Sequence, residues 1–171
     1  TSNDDREQRL YRMLRPGNNG DIVQLASRLG VAISYSQLMS VSSNPNTFFS
    51  QLNTLPTTAT NRYLYLYGLG QLAKKSVNEA AMQLNYDIGR SPQFFDTKTR
   101  QYAYRTLGVA RMNVNTDQGF STEAVDWMQK SVGVPFNFEE AEDYAQAAIR
   151  FGRWQDVVQA VGAMDYKTQQ Q

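Results

Sequence analysis

Neither cysteine nor histidine occurs anywhere in these 171 residues. Without cysteine there can be no disulfide, thiol nucleophile or thiolate metal site, and cysteine usage says nothing about redox compartment. Without histidine the commonest general base and the commonest metal ligand are missing as well. A Ser-His-Asp site, a zinc-hydrolase site and a two-histidine iron site are therefore excluded. An excess of either charge is lacking too: 17 Lys and Arg face 16 Asp and Glu, leaving +1. A dedicated nucleic-acid binder carries a basic face and a high pI, so the balance argues against one, although a locally basic groove is compatible with it. Charged residues reach only 19%, and amide and hydroxyl residues make up the difference from the usual quarter or so. No apolar run approaches the roughly 18 residues that would suggest a membrane span. No signal peptide is visible, and the chain opens Thr1-Ser2-Asn3-Asp4-Asp5, which reads as an excised or processed piece.

What is present is helical periodicity, with apolar residues three and four apart almost throughout. Leu10, Met13 and Leu14 form a stripe that Pro16-Gly17-Asn18-Asn19-Gly20 breaks. Ile22, Val23, Leu25, Ala26 and Leu29 make the next face, closed by Gly30. Tyr35, Leu38 and Met39 suggest a short helix, and Pro45 fits the first turn of another bearing Phe48, Phe49 and Leu52. Arg62 to Tyr67 alternates aromatic and aliphatic residues like a strand. Both alternating sets are apolar, however, and the pattern runs on through Leu69, Leu72 and Ala73 to Lys74-Lys75, so the segment is predicted helical. Gly68 and Gly70 then need a neighbouring helix that crosses closely, because each costs roughly 1 kcal/mol in a helix. Ser76-Val77-Asn78-Glu79 reads as a capping box opening a helix with Ala80, Ala81, Leu84 and Ile88 on one side, ended by Gly89. A long helix is predicted from Pro92 to Val114, bearing Phe95, Tyr102, Leu107, Val109 and Ala110, then a turn from Asn113 to Gly119. The next runs from Thr122 to Gly133 with Trp127 and Met128. Asn137 with Glu140 caps another, whose Ala141, Tyr144, Ala145, Ala148, Ile149 and Phe151 are expected to face inward until Gly152 stops it. Trp154, Val157, Val158 and Val161 begin the next, with Trp154 expected to be buried and to lock the last hairpin; Tyr166 to Gln171 reads as the start of one more.

Helices joined by short loops pack as antiparallel neighbours. One local pattern returns at the second helix of a hairpin: an acid followed by two small apolar residues, as Asp21-Ile22-Val23, Glu79-Ala80-Ala81, Glu123-Ala124-Val125 and Asp156-Val157-Val158. The acid suits the helix dipole, and the small pair admits the partner helix. The spacing is irregular, so the repeat is degenerate. The expected fold is all-α, a right-handed α-solenoid or superhelix of antiparallel hairpins, tetratricopeptide-like, forming a single helical-repeat domain over residues 1–171. A compact bundle is the alternative architecture.

Few constellations carry chemistry. Glu139, Glu140, Glu142 and Asp143 are the densest carboxylates, but they occupy the first turns of one helix, whereas a glycosidase pair usually sits on separate elements across a cleft. Dipole complementation and a solvated face explain them, and metal binding there lacks a scaffold. Gly68-Leu69-Gly70 has no third glycine at the spacing of a nucleotide loop, and Lys74-Lys75 reads as a helix C-terminal charge rather than a phosphate site. No catalytic, cofactor-binding or metal residue is assigned. Ten Tyr, eight Phe and two Trp are many for this length. Core packing takes most of them, and an exposed remainder could stack on sugar rings, with Arg90, Arg100, Arg105 and Arg111 either lining the same region or solvated.

In order along the chain, several stretches resemble the helical superhelix of soluble lytic murein transglycosylases. These are Arg9-Leu10-Tyr11-Arg12-Met13-Leu14 with Gly17-Asn18 and Gly20, then Ser43-Asn44-Pro45-Asn46-Thr47, and Ala73-Lys74-Lys75 through Asn78-Glu79-Ala80-Ala81. Glu123-Ala124 with Trp127 and Gly152-Arg153-Trp154 with Met164 complete the series. No single match is strong; order and spacing carry the likeness, which covers nearly the whole chain. The resemblance implies a piece of a longer periplasmic ring or horseshoe of hairpins, with the catalytic Glu in a separate C-terminal lysozyme-like domain. That domain would cleave peptidoglycan glycan strands to a 1,6-anhydromuramic product, and this segment would serve as scaffold and weak glycan guide. The family's catalytic Glu-Ser and Gly-Leu-Met-Gln stretches are absent: Glu7 precedes Gln8, Glu79 and Glu123 precede alanine, and Glu140 precedes Ala141. The implied partners are the glycan strand and the parent chain's own catalytic domain, with no nucleic acid and no membrane span; the glycan-contacting residues are unknown. A tetratricopeptide-like adaptor that holds a protein partner in its groove is the alternative reading.

Overall fold

The structure, a computed structural model, describes residues 3–12, 19–113 and 121–170. Met13, Leu14, Pro16-Gly17-Asn18 and the part of the expected turn after Asn113 lie outside them. Among the described residues the chain is helical with no strand. The helices are α1 (Asn3–Arg12), α2 (Asn19–Arg28), α3 (Tyr35–Ser43), α4 (Pro45–Ser50), α5 (Ala59–Lys75), α6 (Val77–Arg90), α7 (Thr97–Asn113), α8 (Thr122–Lys130), α9 (Phe138–Arg150) and α10 (Trp154–Gln170). A 3-10 turn, Pro92–Phe94, precedes α7. The chain divides into two compact units, residues 1–99 and 100–171.

Side-chain caps set most helix starts. Ser34 and Gln37 form a reciprocal capping box on α3, and Asn137 with Glu140 forms the one expected on α9. Asn44, Thr58, Ser76 and Ser121 each accept an N–H from the first turn of the following helix, and Pro45 enters α4 at its start. At Ser76 the first half of the expected box is present, the hydroxyl accepting from the Glu79 N–H at 3.2 Å, while Glu79 itself is exposed. Two helix ends need glycine: Gly30 and Gly152 lie at φ 76° and 65°, where a side chain would be strained. Behind them Val31 N donates to Ala26 O and Arg153 N to Ala148 O, the closure that satisfies the last carbonyls of a helix.

In the first unit, α5 is the centre. Every residue from Tyr63 to Leu69 is buried, which explains the misleading alternation: a helix surrounded on all sides is apolar on all sides. It contacts α1, α3, α4 and α6. The close crossing expected at the glycines is found at Gly68, where an added Cβ would stand 2.9 Å from Val41 Cγ1 and 3.4 Å from the Phe49 ring. Around Tyr65 the rings of Phe49, Phe94 and Phe95 pack at 5.1, 5.7 and 5.0 Å. Its hydroxyl donates to Asp87 Oδ2 at 2.8 Å, and Gln83 Nε2 donates to the same carboxylate.

Burial raises the Asp87 pKa above the ordinary carboxylate range, against the pull of Gln83, Tyr65 and Arg90. A carboxyl that holds its proton more tightly when folded favours the fold while protonated. That contribution is lost as pH rises from the unfolded carboxylate pKa, about 3.9, through the raised folded one. Asp87→Asn should remove this loss, so its melting temperature relative to the parent should climb from acid to neutral pH. A difference that stays flat across pH 3.5 to 7 in calorimetry would show that Asp87 does not titrate on unfolding.

In the second unit a core of Val109, Met112, Ala124, Val125, Met128, Tyr144, Ala145, Ala147, Ala148 and Ala160 joins α7, α8, α9 and α10. Gly108 admits Met128, whose Sδ would lie 2.6 Å from an added Cβ. Four expectations are corrected here. The helix predicted from Pro92 starts at Thr97, because Asp96 accepts the Thr99 N–H at 2.8 Å and caps it there. The helix predicted to Gly133 ends at Lys130, and the one predicted anew from Tyr166 is the continuation of α10. Ile149 and Phe151, expected to face inward, and Trp154, expected to be buried, are exposed, as are Val158 and Val161.

Candidate functional site

The acidic cluster does not act as a unit. Glu139 and Glu142 are exposed on α9, Asp143 is half-buried, and Glu140 is buried. Glu140 Oε1 accepts the Asn137 N–H, and Oε2 takes Arg105 Nη1 at 3.3 Å. A carboxylate tied to a cap and a buried guanidinium is no free acid or base. Among the described residues no group of three or more metal-ligating side chains comes together, and no helix is long and apolar enough to cross a membrane. Gly68-Leu69-Gly70 lies inside α5, and Lys74 and Lys75 are exposed in its last turn.

The four arginines do not form one solvent-facing set. Arg90 donates to the Tyr86 hydroxyl at 2.8 Å on α6, and Arg100 is exposed. Arg111 pairs with Glu123 at 3.0 Å and lies 5.7 Å from the Trp127 ring. Arg105 is only 2% exposed. Its Nε donates to Ser131 Oγ at 2.8 Å, Nη1 to Pro135 O at 2.8 Å, and Nη2 to Ser131 O and Val134 O at 2.9 and 3.0 Å. The guanidinium lies 3.5 Å from the Phe136 ring centroid, and that ring stacks on Tyr144. Arg105 thus folds the α8–α9 connection around itself and is structural.

Beyond it, Arg153 bridges Asp126 at 2.7 Å and Asp156 at 3.0 Å. The Tyr144 hydroxyl donates to Asp156; burial, then that carboxylate, pushes the phenol pKa well up, so it stays a donor.

The same unit carries an exposed apolar stripe on α10. Trp154 is 65% and Val158 72% exposed, Val161 continues the same α10 stripe, and Ile149 and Phe151 at the end of α9 are also exposed. An added Cβ on Gly162 would meet nothing within 4 Å. The periodicity placed these residues on one stripe but could not say which way the stripe faces. Trp154→Ala is accordingly expected to change stability by no more than about 0.5 kcal/mol, in place of the 3–5 kcal/mol that a buried aromatic would cost. Urea unfolding followed by circular dichroism decides between them. The first unit has smaller counterparts: Met82 and Tyr86 one turn apart on α6, and Tyr35 and Met39 on α3.

No protein-family model, curated protein or solved structure matches the chain.

Proposed function

We propose that this chain is a non-catalytic superhelical segment of a peptidoglycan lytic transglycosylase: a right-handed, tetratricopeptide-like α-solenoid that guides glycan strands in the periplasm. Cleavage to the 1,6-anhydro product falls to a separate C-terminal domain of the parent protein. One observation supports this reading above others. The stretches that resemble the family fall at helix junctions: Asn44-Pro45 between α3 and α4, Glu79-Ala80 and Glu123-Ala124 in first turns, and Gly152-Arg153-Trp154 between α9 and α10. Ala80 and Ala124 are wholly buried, as a residue admitting a partner helix has to be.

On this reading the chain binds and positions, and it cleaves nothing. Contacts to a sugar strand are single ring faces and hydrogen bonds. Each hydrogen bond nets about 0.5–1.5 kcal/mol, against an association cost of about 4 kcal/mol or more. Purified chain is expected to release no anhydro-muropeptide from sacculi above buffer and to bind short muropeptides only at millimolar strength. Release above buffer overturns the reading. The exposed Trp154-Val158-Val161 stripe favours the adaptor as second reading, since aliphatic side chains bury against protein better than against sugar hydroxyls. A stoichiometric protein partner held at micromolar affinity, with no response to glycan, establishes the adaptor instead.

A further inference from the structure

We infer that the outward face of α3, centred on Tyr35, is a docking surface for an uncharged sugar chain. Its distinguishing property is a lack of charge. From Leu29 to Asn61 there is no Asp, Glu, Lys or Arg, where a stretch of that length ordinarily holds roughly eight. This segment supplies α3, α4 and the connection to α5. α3 is seated by Leu38 and Val41, both buried, and Val41 lies against Gly68 at the close crossing with α5. On its outward side Tyr35 is 56% and Met39 43% exposed, one turn apart. Beside them Ser36, Ser40 and Ser43 stand at helical spacing and are exposed too. Side chains reaching α3 from other helices are neutral as well: Asn19 Nδ2 meets Met39 Sδ at 3.6 Å, and Ser42 Oγ donates to Gln71 Oε1 at 3.4 Å. Such a surface offers no charge complementarity to a phosphate, a polyanion or a charged peptide. Its apolar part is one ring and one thioether, too little for the core of a protein interface. A ring face among hydroxyls and amides fits a polyhydroxylated chain that is itself uncharged. The ring covers the C–H face of a sugar, and its neighbours trade hydrogen bonds with the hydroxyls. α6 supplies the contrast. Met82 and Tyr86 form a like pair one turn apart, both exposed. There, however, Glu79 is exposed one turn earlier, and Arg90 donates to the Tyr86 hydroxyl at 2.8 Å.

This inference rests on the glycan half of the proposed function and names the face of the first unit that meets the strand. Chitotetraose, an uncharged oligomer of N-acetylglucosamine, is titrated against the full chain labelled at its methionine methyls. Met39 then reports on α3 and Met82 on α6. The expected result is a saturable, millimolar shift of the Met39 methyl with Met82 unmoved. The affinity should hold from about 50 to about 500 mM salt, since there is no charge pair to screen. Tyr35→Ala should weaken binding about fivefold or more, and Tyr86→Ala less than about twofold. Both positions are exposed, so the circular dichroism of each variant should stay that of the parent. Equal shifts at Met39 and Met82, a Met39 shift that survives Tyr35→Ala, or an affinity that falls with salt overturns the assignment. So does binding of chitotetraose or of a carboxylate-bearing muropeptide with Met39 silent, which leaves the glycan reading standing. No response to either sugar overturns both.

Discussion

Arg105→Met is expected to cost the unit of residues 100–171 about 3–5 kcal/mol, the usual result of removing one partner from a buried ion pair. The substitution withdraws the guanidinium from Glu140 and from the carbonyls of Ser131, Val134 and Pro135 together. Each buried acceptor that loses its donor adds about 1–3 kcal/mol of desolvation unless water enters. The companion variant Arg105→Met with Glu140→Leu separates the two contributions. If the ion pair dominates, the double variant recovers most of the stability, because a hydrophobic replacement removes the orphaned charge. If the carbonyl contacts dominate, as their number and the long 3.3 Å Glu140 contact suggest, recovery is partial. Both tryptophans, Trp127 and Trp154, lie in this unit, so fluorescence-detected urea unfolding reads it directly. A loss below about 1 kcal/mol would mean that the connection reorganises around water and that Arg105 is dispensable.

The second large effect is expected at Tyr65. Tyr65→Ala should destabilise residues 1–99 by about 3–5 kcal/mol, since the ring is completely buried and is flanked by Phe49, Phe94 and Phe95. Tyr65→Phe keeps those ring contacts and deletes only the donor to Asp87, so it should cost about 1–3 kcal/mol. The penalty of Tyr65→Phe should also shrink at acid pH, where the protonated Asp87 no longer needs a donor. Thermal unfolding by circular dichroism at pH 4 and pH 7 tests the pair. Equal losses for the two substitutions would place the stabilisation in the hydroxyl rather than in the ring cluster.

Local signals in the sequence were readable wherever one residue and its near neighbours decide the outcome. Pro45, the Asn137–Glu140 box and the stop at Gly152 are of this kind, and so is the helical reading of Tyr63 to Tyr67, which rested on both alternating sets being apolar. The start of α7 is legible in principle: Asp96 followed three residues later by the N–H it accepts is a cap signal. Arg105 was not legible. Its partners lie 26 to 35 residues away, and an arginine on a mixed helix looks the same whether solvated or enclosed. The outward stripe of α10 fails differently. Periodicity shows that Trp154, Val158 and Val161 share a face, and only the positions of other helices show whether that face is covered. Composition excludes the chemistries that need a cysteine or a histidine, and it assigns no binding surface.

The surroundings of α5 bear on how the first unit comes apart. In an array where each hairpin touches only its neighbours, the end hairpins can open while the rest stays folded. Here α5 is touched by α1, α3, α4 and α6 at once, and Arg62 at its start is tied to Glu7 of α1 at 2.7 Å. Lifting α1 away would wet Tyr11, stacked against Tyr63, and with it the middle of the unit. Residues 3–99 should therefore melt in a single cooperative step. The amide hydrogens of Tyr63 to Leu69 would exchange with solvent only through that step, at the free energy of opening the whole unit.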